Sequence, residues 1–156
     1  MINNLLSLLT SENIYLIANW GVLPFWFLLI FLPNHQLTNF FVQSIIGPII
    51  LAAGYAYLSY NIYLDGKIFG GFELYSGLDG LYSMFANETF LLIFWFHFLA
   101  ISLFTGAWIV RDSRKYLIPK IITIPSLILT YFTGPVGLVF YWFIRILFAK
   151  KISFND

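Results

Sequence analysis

The sequence contains no cysteine and few charged residues. Of its 156 residues, 10% are Asp, Glu, Lys or Arg, whereas about a quarter of the residues in soluble domains are charged. The absence of cysteine excludes disulfides, thiolate metal sites and cysteine nucleophiles. The net charge is only +1. Because nucleic-acid binding depends on a basic surface, nucleic acid is not expected as a partner.

The polar motifs of several enzyme classes are also absent. The sequence has no paired carboxylates within its apolar segments, no histidine cluster with metal-ligand spacing, no phosphate-binding loop and no nucleophile elbow. These absences argue against a metalloenzyme, a di-iron hydroxylase and a proton-coupled transporter with an acidic relay. The sequence therefore predicts neither a metal nor a cofactor.

Most of the sequence is apolar, with 60% hydrophobic and 21% aromatic residues. A soluble domain of this length could not bury so much apolar surface, so the composition predicts an integral membrane protein surrounded by the lipid bilayer. A span needs about 20 apolar residues. The apolar runs predict four spans, at 14–32, 40–64, 90–110 and 121–148. The predicted fold is an all-α, integral membrane four-helix bundle that forms a single domain over 1–156.

The segment 65–89 is predicted to lie outside the membrane, between spans two and three. Leu78, Leu81, Tyr82 and Phe85 are spaced i, i+3, i+4 and i+7, which predicts a short interfacial helix. The loop at 111–120 contains four cations and one acid, which favours a cytoplasmic loop and both termini on the non-cytoplasmic side. The lysines at 67, 150 and 151 oppose that orientation almost equally.

His97 is the intramembrane residue that could exchange a proton near neutral pH. As a functional residue it would be a proton donor, a proton acceptor or an axial ligand to a porphyrin. As a structural residue it would be a neutral imidazole in the bundle interior, hydrogen-bonded to a carbonyl or a tyrosine. The sequence favours the structural interpretation slightly, because no partner for His97 is visible.

Basic residues surround one acid at the predicted end of span three, where Arg111, Asp112, Arg114 and Lys115 follow each other closely. The cations would bind phosphate or lipid headgroups. Asp112 would act as an acid or base, with its carboxylate form favoured by the guanidinium groups. The alternative is an ordinary basic topology loop. Arg145, near the end of span four, is expected to extend to the headgroups.

Aromatic residues are more numerous than two interfacial belts in four spans require, with 18 Phe, 10 Tyr and 5 Trp. Either the extra rings face lipid, or they line a site for a long conjugated or isoprenoid molecule; Trp20, Trp95 and Tyr55 are candidate ligand-binding residues.

Small residues predict close helix packing in two places. These are the stripe at 44, 48, 52 and 56, and the pair Ser102 and Gly106.

Four segments resemble the abscisic-acid-deficient type, neoxanthin-synthesis family of small four-span proteins from plants, algae and bacteria. They are NWGVLPFWFLLIFLP (19–33), GGFELYSGLDGLYSMF (70–85), WFHFLAISLFTGAWIVRDSRK (95–115) and TGPVGLVFYWFIR (133–145). The polar landmarks are Pro24, the glycine-rich segment, His97, Asp112, and the Gly-Pro-x-Gly at 134–137 that precedes Arg145. Family members often have an acidic residue where this chain has Ser102, so an acid–base role is not expected there.

The resemblance implies a carotenoid- or isoprenoid-related role in a bacterial inner membrane or a thylakoid-type membrane. In plants the family is required for neoxanthin formation, in which a violaxanthin epoxide opens to an allene. An isomerase of that type would need a proton donor and a base, for which His97, Asp112 and Glu73 are the candidates. The alternative is a non-enzymatic small subunit that docks on a larger membrane complex. A small transporter is disfavoured, because the sequence has no internal repeat.

Overall fold

The computed structural model describes residues 10–44, 46–64 and 75–150. Within these residues all regular secondary structure is helical, which confirms the predicted all-α class. The helices are α1 (Ser11–Phe31), α2 (Gln36–Phe41), α3 (Ile46–Leu64), α4 (Leu78–Phe85), α5 (Glu88–Lys115), α6 (Lys120–Thr133) and α7 (Pro135–Ala149). The predicted interfacial helix is α4, whose Leu78 and Tyr82 are 78% and 80% exposed.

Two of these helices are long and apolar enough to cross a membrane. α1 has 21 residues and α5 has 28, so they are about 31 and 42 Å long at about 1.5 Å per residue. The hydrocarbon core of a bilayer is about 30 Å thick. α6 and α7 have 14 and 15 residues, and each alone is shorter than that core.

The chain divides into two compact units. Unit 1 comprises Met1–Val22 and Ile49–Phe98, and unit 2 comprises Leu23–Pro48 and Leu99–Asp156. The first parts of α1 and α5 therefore belong to unit 1 and their second parts to unit 2.

In unit 1, α3 packs through a different face from the predicted stripe of small residues. Ala52 and Ala56 on that stripe are exposed, whereas Leu51 and Leu58 are buried and Gly54 contacts the ring of Phe96. The predicted packing face is therefore wrong. The small residue that permits close approach is Gly54, and the leucines on either side of it supply the buried apolar area.

α5 starts earlier and ends later than the apolar run alone predicts. At its start, the Phe90 N–H donates to the Asn87 side-chain oxygen over 3.1 Å, an N-terminal cap. At its other end the helix continues to Lys115, so the basic residues predicted to lie in a loop occupy its last turns. Arginine and lysine are good helix formers and interact favourably with a helix C-terminus.

α5 ends in a Schellman turn centred on Leu117. The Ile118 N–H donates to the Ser113 carbonyl over 2.8 Å and the Leu117 N–H donates to the Arg114 carbonyl over 3.2 Å, which is the hydrogen-bond pattern of this turn. Leu117 has the left-handed φ of 54° that is usual for glycine at this position. Only four residues, 116–119, separate α5 from α6.

The predicted fourth span, 121–148, is two helices in the structure. Gly134 has φ 58° and ψ −92°, and Pro135 has no N–H to continue the hydrogen bonds of α6. α6 and α7 then approach so closely that a Cβ atom on Gly137 would lie 2.5 Å from the Cα of Thr130. Gly137 therefore allows the two backbones to touch.

In unit 2, the second parts of α1 and α5 pack closely. A Cβ atom on Gly106 would lie 2.8 Å from the ring of Trp26 and 3.2 Å from Leu29, and Ser102 is buried. Close packing at Ser102 and Gly106 is thus confirmed. The buried Thr38 hydroxyl donates to the Leu32 carbonyl over 2.5 Å, which satisfies an acceptor at the end of α1.

Candidate functional site

The first candidate site is a buried charged cluster in unit 2, formed by Asp112 of α5 and two residues of α7. Arg145 Nε lies 2.9 Å from Asp112 Oδ2, and the Tyr141 hydroxyl donates to the same oxygen over 2.7 Å. Arg145 and Tyr141 are 1% and 0% exposed. Because Tyr141 and Arg145 are four residues apart, they lie on one face of α7 and reach the same carboxylate.

Aromatic rings enclose the guanidinium group of Arg145. Its Cζ lies 4.9 Å from the ring centroids of Tyr116 and Trp142, and its Nη2 donates to the Tyr116 hydroxyl over 3.2 Å. Trp142 in turn stacks on Trp108, with centroids 5.6 Å apart and an interplanar angle of 9°. Arg145 therefore does not extend to the headgroups, and that expectation is wrong, because Asp112 holds it inside the unit.

The geometry of this cluster suits stabilisation of the fold. Asp112 accepts from a cation and a phenol, and a buried carboxylate needs such partners. Removing Arg145 would leave the Asp112 carboxylate without its cation, and removing Tyr141 would cost it one hydrogen bond. The cluster is hydrogen-bonded among its own members, so its main effect is to fix α7 against α5.

The second candidate site is a cavity of about 320 Å³ in unit 2, formed by the end of α1, the end of α5 and the start of α6. Its floor is mostly apolar, and Arg114 and Lys120 contribute positive charge. The lining residues are Leu29, Ile30, Pro33, Asn34, Val110, Ser113, Arg114, Leu117, Ile118, Pro119, Lys120, Thr123, Ile124 and Leu127. We call this the basic cavity.

Arg114 is held at the basic cavity by neutral groups. Its Nη2 donates to the Gln43 side-chain oxygen and its Nη1 to the Asn39 side-chain oxygen over 3.4 Å. In the part of the chain that the structure describes, no carboxylate forms an ion pair with Arg114. Its positive charge therefore remains available to a ligand.

The third candidate site is an aromatic groove of about 340 Å³ between α1 and α6, also in unit 2. It is lined by Leu23, Trp26, Phe27, Ile30, Phe31, Ile128, Tyr131 and Phe132. Ile30 lines both this groove and the basic cavity, so the two adjoin. Together they follow α6 from Lys120 to Phe132, a rise of about 18 Å at about 1.5 Å per residue.

Trp26 is a buried residue that lines the aromatic groove. Its ring packs edge-on against Tyr131, with centroids 5.4 Å apart, and it is 3% exposed. Its indole N–H has no hydrogen-bond partner among the described residues. A buried N–H without a partner is costly.

The residues predicted from the sequence do not form one site. His97 lies on an exposed face of α5 rather than in an interior, so the predicted hydrogen-bonded imidazole is not seen. Trp20 and Tyr55 are exposed. Trp95 donates its indole N–H to the Asn19 side chain over 2.9 Å and stacks on Phe98. Glu73 lies outside the described residues.

Of the predicted basic residues, Arg114 lines the basic cavity and Arg111 is exposed. Sequence reasoning did not identify Lys120, Trp26 or Tyr131 as site residues. The signal for Lys120 was its position at the start of a helix that follows a basic helix end. Trp26 and Tyr131 had no distinguishing signal among so many aromatic residues.

The described residues form only helices, two of them long enough to cross a membrane, and an aromatic groove adjoins a basic cavity. The model of the ABA DEFICIENT 4-like family matches residues 13–141, so the chain belongs to that family. It is 27% identical to the chloroplastic protein ABA DEFICIENT 4 of Arabidopsis thaliana over 132 residues, which are 83% of this chain and 59% of that protein. The chain thus spans about three fifths of the length of that relative. No solved structure matches the chain.

Proposed function

We propose that the protein is a multi-pass membrane protein that binds a carotenoid or a related isoprenoid in the aromatic groove and supports its modification. The observation that carries this proposal is the groove itself, which is apolar and lined by aromatic rings in a chain of the ABA DEFICIENT 4-like family. A polyene chain is apolar and elongated, and it packs well against such rings.

The apolar surface of the described residues supports placement in the bilayer. Trp20, Ile121 and Leu147 are 69%, 77% and 75% exposed, and they stand among many other exposed large apolar side chains. Soluble monomers expose apolar patches of only a few hundred Å². Lipid is therefore the surrounding that fits this surface. We place α3 and the α6–α7 pair in the bilayer together with α1 and α5.

Binding is better supported than isomerisation. Neither of the described candidates for proton transfer, His97 and Asp112, lines the aromatic groove or the basic cavity. Asp112 is engaged by Arg145 and Tyr141. An isomerase would need a donor and a base within hydrogen-bond reach of the reacting atoms. We therefore assign the chain the task of holding and presenting the isoprenoid.

Expression of the full chain in a carotenoid-producing host tests the proposal. Purified protein should carry pigment that visible absorption and chromatography detect. Ile128→Trp places a bulky ring in the groove and should reduce bound pigment about tenfold or more, because close-packed sites tolerate added volume poorly. Ile121→Trp is the matched control, an exposed isoleucine of α6 that lines neither cavity. Absence of pigment from all three proteins would overturn the proposal, and equal pigment in all three would exclude the groove as the site.

A second candidate function is that of a non-enzymatic subunit of a larger membrane complex. It is favoured by the position of His97, which is exposed on the same side of α5 as Leu91 and Phe94. An ionisable side chain facing lipid is expensive, and a protein partner would satisfy it. Native purification distinguishes the two functions. A subunit migrates at a mass well above its own 18.1 kDa and loses that partner on His97→Leu, whereas Phe94→Leu leaves the complex intact.

A further inference from the structure

We infer that the basic cavity binds the phosphate headgroup of an acidic membrane phospholipid, with the adjoining part of the acyl chain in its apolar floor. This inference does not depend on the proposed carotenoid function, because it rests on a different cavity. The basic cavity and the aromatic groove adjoin only at Ile30.

The floor of the basic cavity is suited to an acyl chain. Leu29, Ile118 and Leu127 are 0%, 6% and 2% exposed, and all three line the cavity. The volume of about 320 Å³ lies at the lower end of the range for small-molecule pockets. It therefore accommodates the part of a lipid nearest its headgroup, and the remainder of the chain would continue outside the cavity.

Two cations stand at the basic cavity without a carboxylate partner in the described residues. Arg114 is held by the side-chain oxygens of Gln43 and Asn39. Lys120 is exposed and has no partner in the part of the chain that the structure describes. The carboxylate nearest in sequence, Asp112, is already bound to Arg145. An anion is therefore the ligand that would complete the cavity.

The first turn of α6, which borders the basic cavity, adds backbone N–H donors to the two cations. The N–H groups of Ile122 and Thr123 donate to the Pro119 carbonyl over 3.0 and 3.2 Å. The N–H groups of Lys120 and Ile121 are the first of the helix and have no partner within it. Helix N-termini attract anions, and phosphate is among the groups they bind. Lys120 and Pro119 of this turn both line the cavity.

The position of the basic cavity favours a lipid over a water-soluble anion. It lies at the end of α5, a helix of membrane length, where the headgroup region of a bilayer would begin. A cation near an anionic membrane surface is stabilised by electrostatic attraction to the lipid charges close to it. A soluble phosphate compound would leave the apolar floor unfilled.

Lipid binding to the purified full chain in an uncharged maltoside detergent tests the inference, with native mass spectrometry as the measurement. The probes are phosphatidylglycerol, phosphatidylcholine and glycerol phosphate, which separate headgroup charge from the apolar chain. Phosphatidylglycerol should bind at least about fivefold more tightly than phosphatidylcholine, as expected for one lipid charge beside a nearby cation. Glycerol phosphate should not compete at equal concentration.

Two variants locate the binding. Lys120→Gln should weaken phosphatidylglycerol binding about fivefold, and Arg114→Gln should weaken it by at least as much. Lys150→Asn is the matched control, because it also removes one positive charge and Lys150 does not line the cavity. It should change affinity less than twofold. Lys120 is exposed, so Lys120→Gln keeps the inference testable even if Arg114→Gln does not fold.

Three results would overturn the inference. Equal losses in Lys120→Gln and Lys150→Asn would mean a diffuse surface effect. Equal affinity for phosphatidylcholine would mean a purely apolar site. Full competition by glycerol phosphate would mean a site for a free phosphate compound. Loss of lipid binding in Lys120→Gln with pigment retained would separate this cavity from the carotenoid proposal.

Discussion

Arg145 and Arg114 are two arginines of unit 2 with opposite surroundings. Arg145 is 1% exposed, pairs with Asp112 over 2.9 Å and lies between the rings of Tyr116 and Trp142. Arg114 lies at a cavity and is held by two neutral amide side chains. The two residues carry the same charge, but only that of Arg145 is neutralised by a carboxylate.

This difference indicates how a chain with so few charges divides them. A buried charge without a partner is costly. Asp112, the acid near the end of α5, therefore pairs with Arg145, the arginine that is fully buried. The arginine beside open space can remain without a counter-ion until a ligand arrives. Asp112 thus contributes to the fold, and Arg114 is the better candidate for a binding residue.

The largest expected effect comes from breaking the enclosed pair. Arg145→Met should lower the free energy of unfolding in detergent micelles by about 3 to 5 kcal/mol, because it leaves the Asp112 carboxylate buried without its cation. Arg114→Met should lower it by less, about 1.5 kcal/mol, the lower end of the range for hydrogen bonds to charged groups, because Arg114 is only partly buried. Denaturant titration followed by tryptophan fluorescence measures both.

The double variant Asp112→Asn with Arg145→Met is the control for that prediction. It removes the uncompensated charge and should recover part of the free energy of unfolding that Arg145→Met loses. If Arg114→Met were as destabilising as Arg145→Met, the proposed division between a structural and an available arginine would fail.

A smaller effect is expected from disturbing the contact that places α7, the helix of Arg145, against α6. Gly137→Ala introduces a Cβ atom 2.5 Å from the Cα of Thr130, so the helices must separate. We expect a loss of about 2 to 3 kcal/mol in the free energy of unfolding. Gly21→Ala is the control, because nothing lies within 4 Å of its added Cβ. It should be neutral or stabilise by up to about 1 kcal/mol, as helix propensity predicts. Equal effects of the two substitutions would show that α6 and α7 do not touch at Gly137.

Several elements of this fold could be predicted from local sequence, but α2 and the pairings of the helices could not. The uncharged run at 90–110 predicted the central part of α5, and the i, i+3, i+4, i+7 spacing predicted α4. The Gly-Pro at 134–135 was visible as an interruption, yet it did not show that α6 and α7 fold back on each other. Which cation meets Asp112 depends on a contact 33 residues away. That contact is decided by helix crossing and leaves no periodic signal in the sequence.

Which aromatic residues line a cavity was harder to predict, for a related reason. Trp20, Trp95 and Tyr55 were chosen for their chemistry, and in a chain with 21% aromatic residues ring chemistry does not separate a groove from a lipid-facing surface. Trp26 and Tyr131 line the groove only because α1 and α6 meet there. Arg114 lines the basic cavity, and its role as a ligand-binding residue stays a prediction.

The smallest expected effect lies in the turn that connects Arg114 to Lys120. Leu117 adopts φ 54° in this turn and is 86% exposed. A left-handed conformation costs an L-residue about 1 to 2 kcal/mol, whereas glycine adopts it freely but loses more entropy on folding. Leu117→Gly should therefore be about 1 kcal/mol more stable than Leu117→Ala, which removes the same side chain without relieving the backbone. Thermal unfolding of the two variants in the same detergent measures this difference. A Leu117→Gly protein less stable than Leu117→Ala would mean that the turn does not hold Leu117 in the left-handed region. In that case the Schellman turn would not be the feature that positions the end of α5 and the start of α6 at the basic cavity.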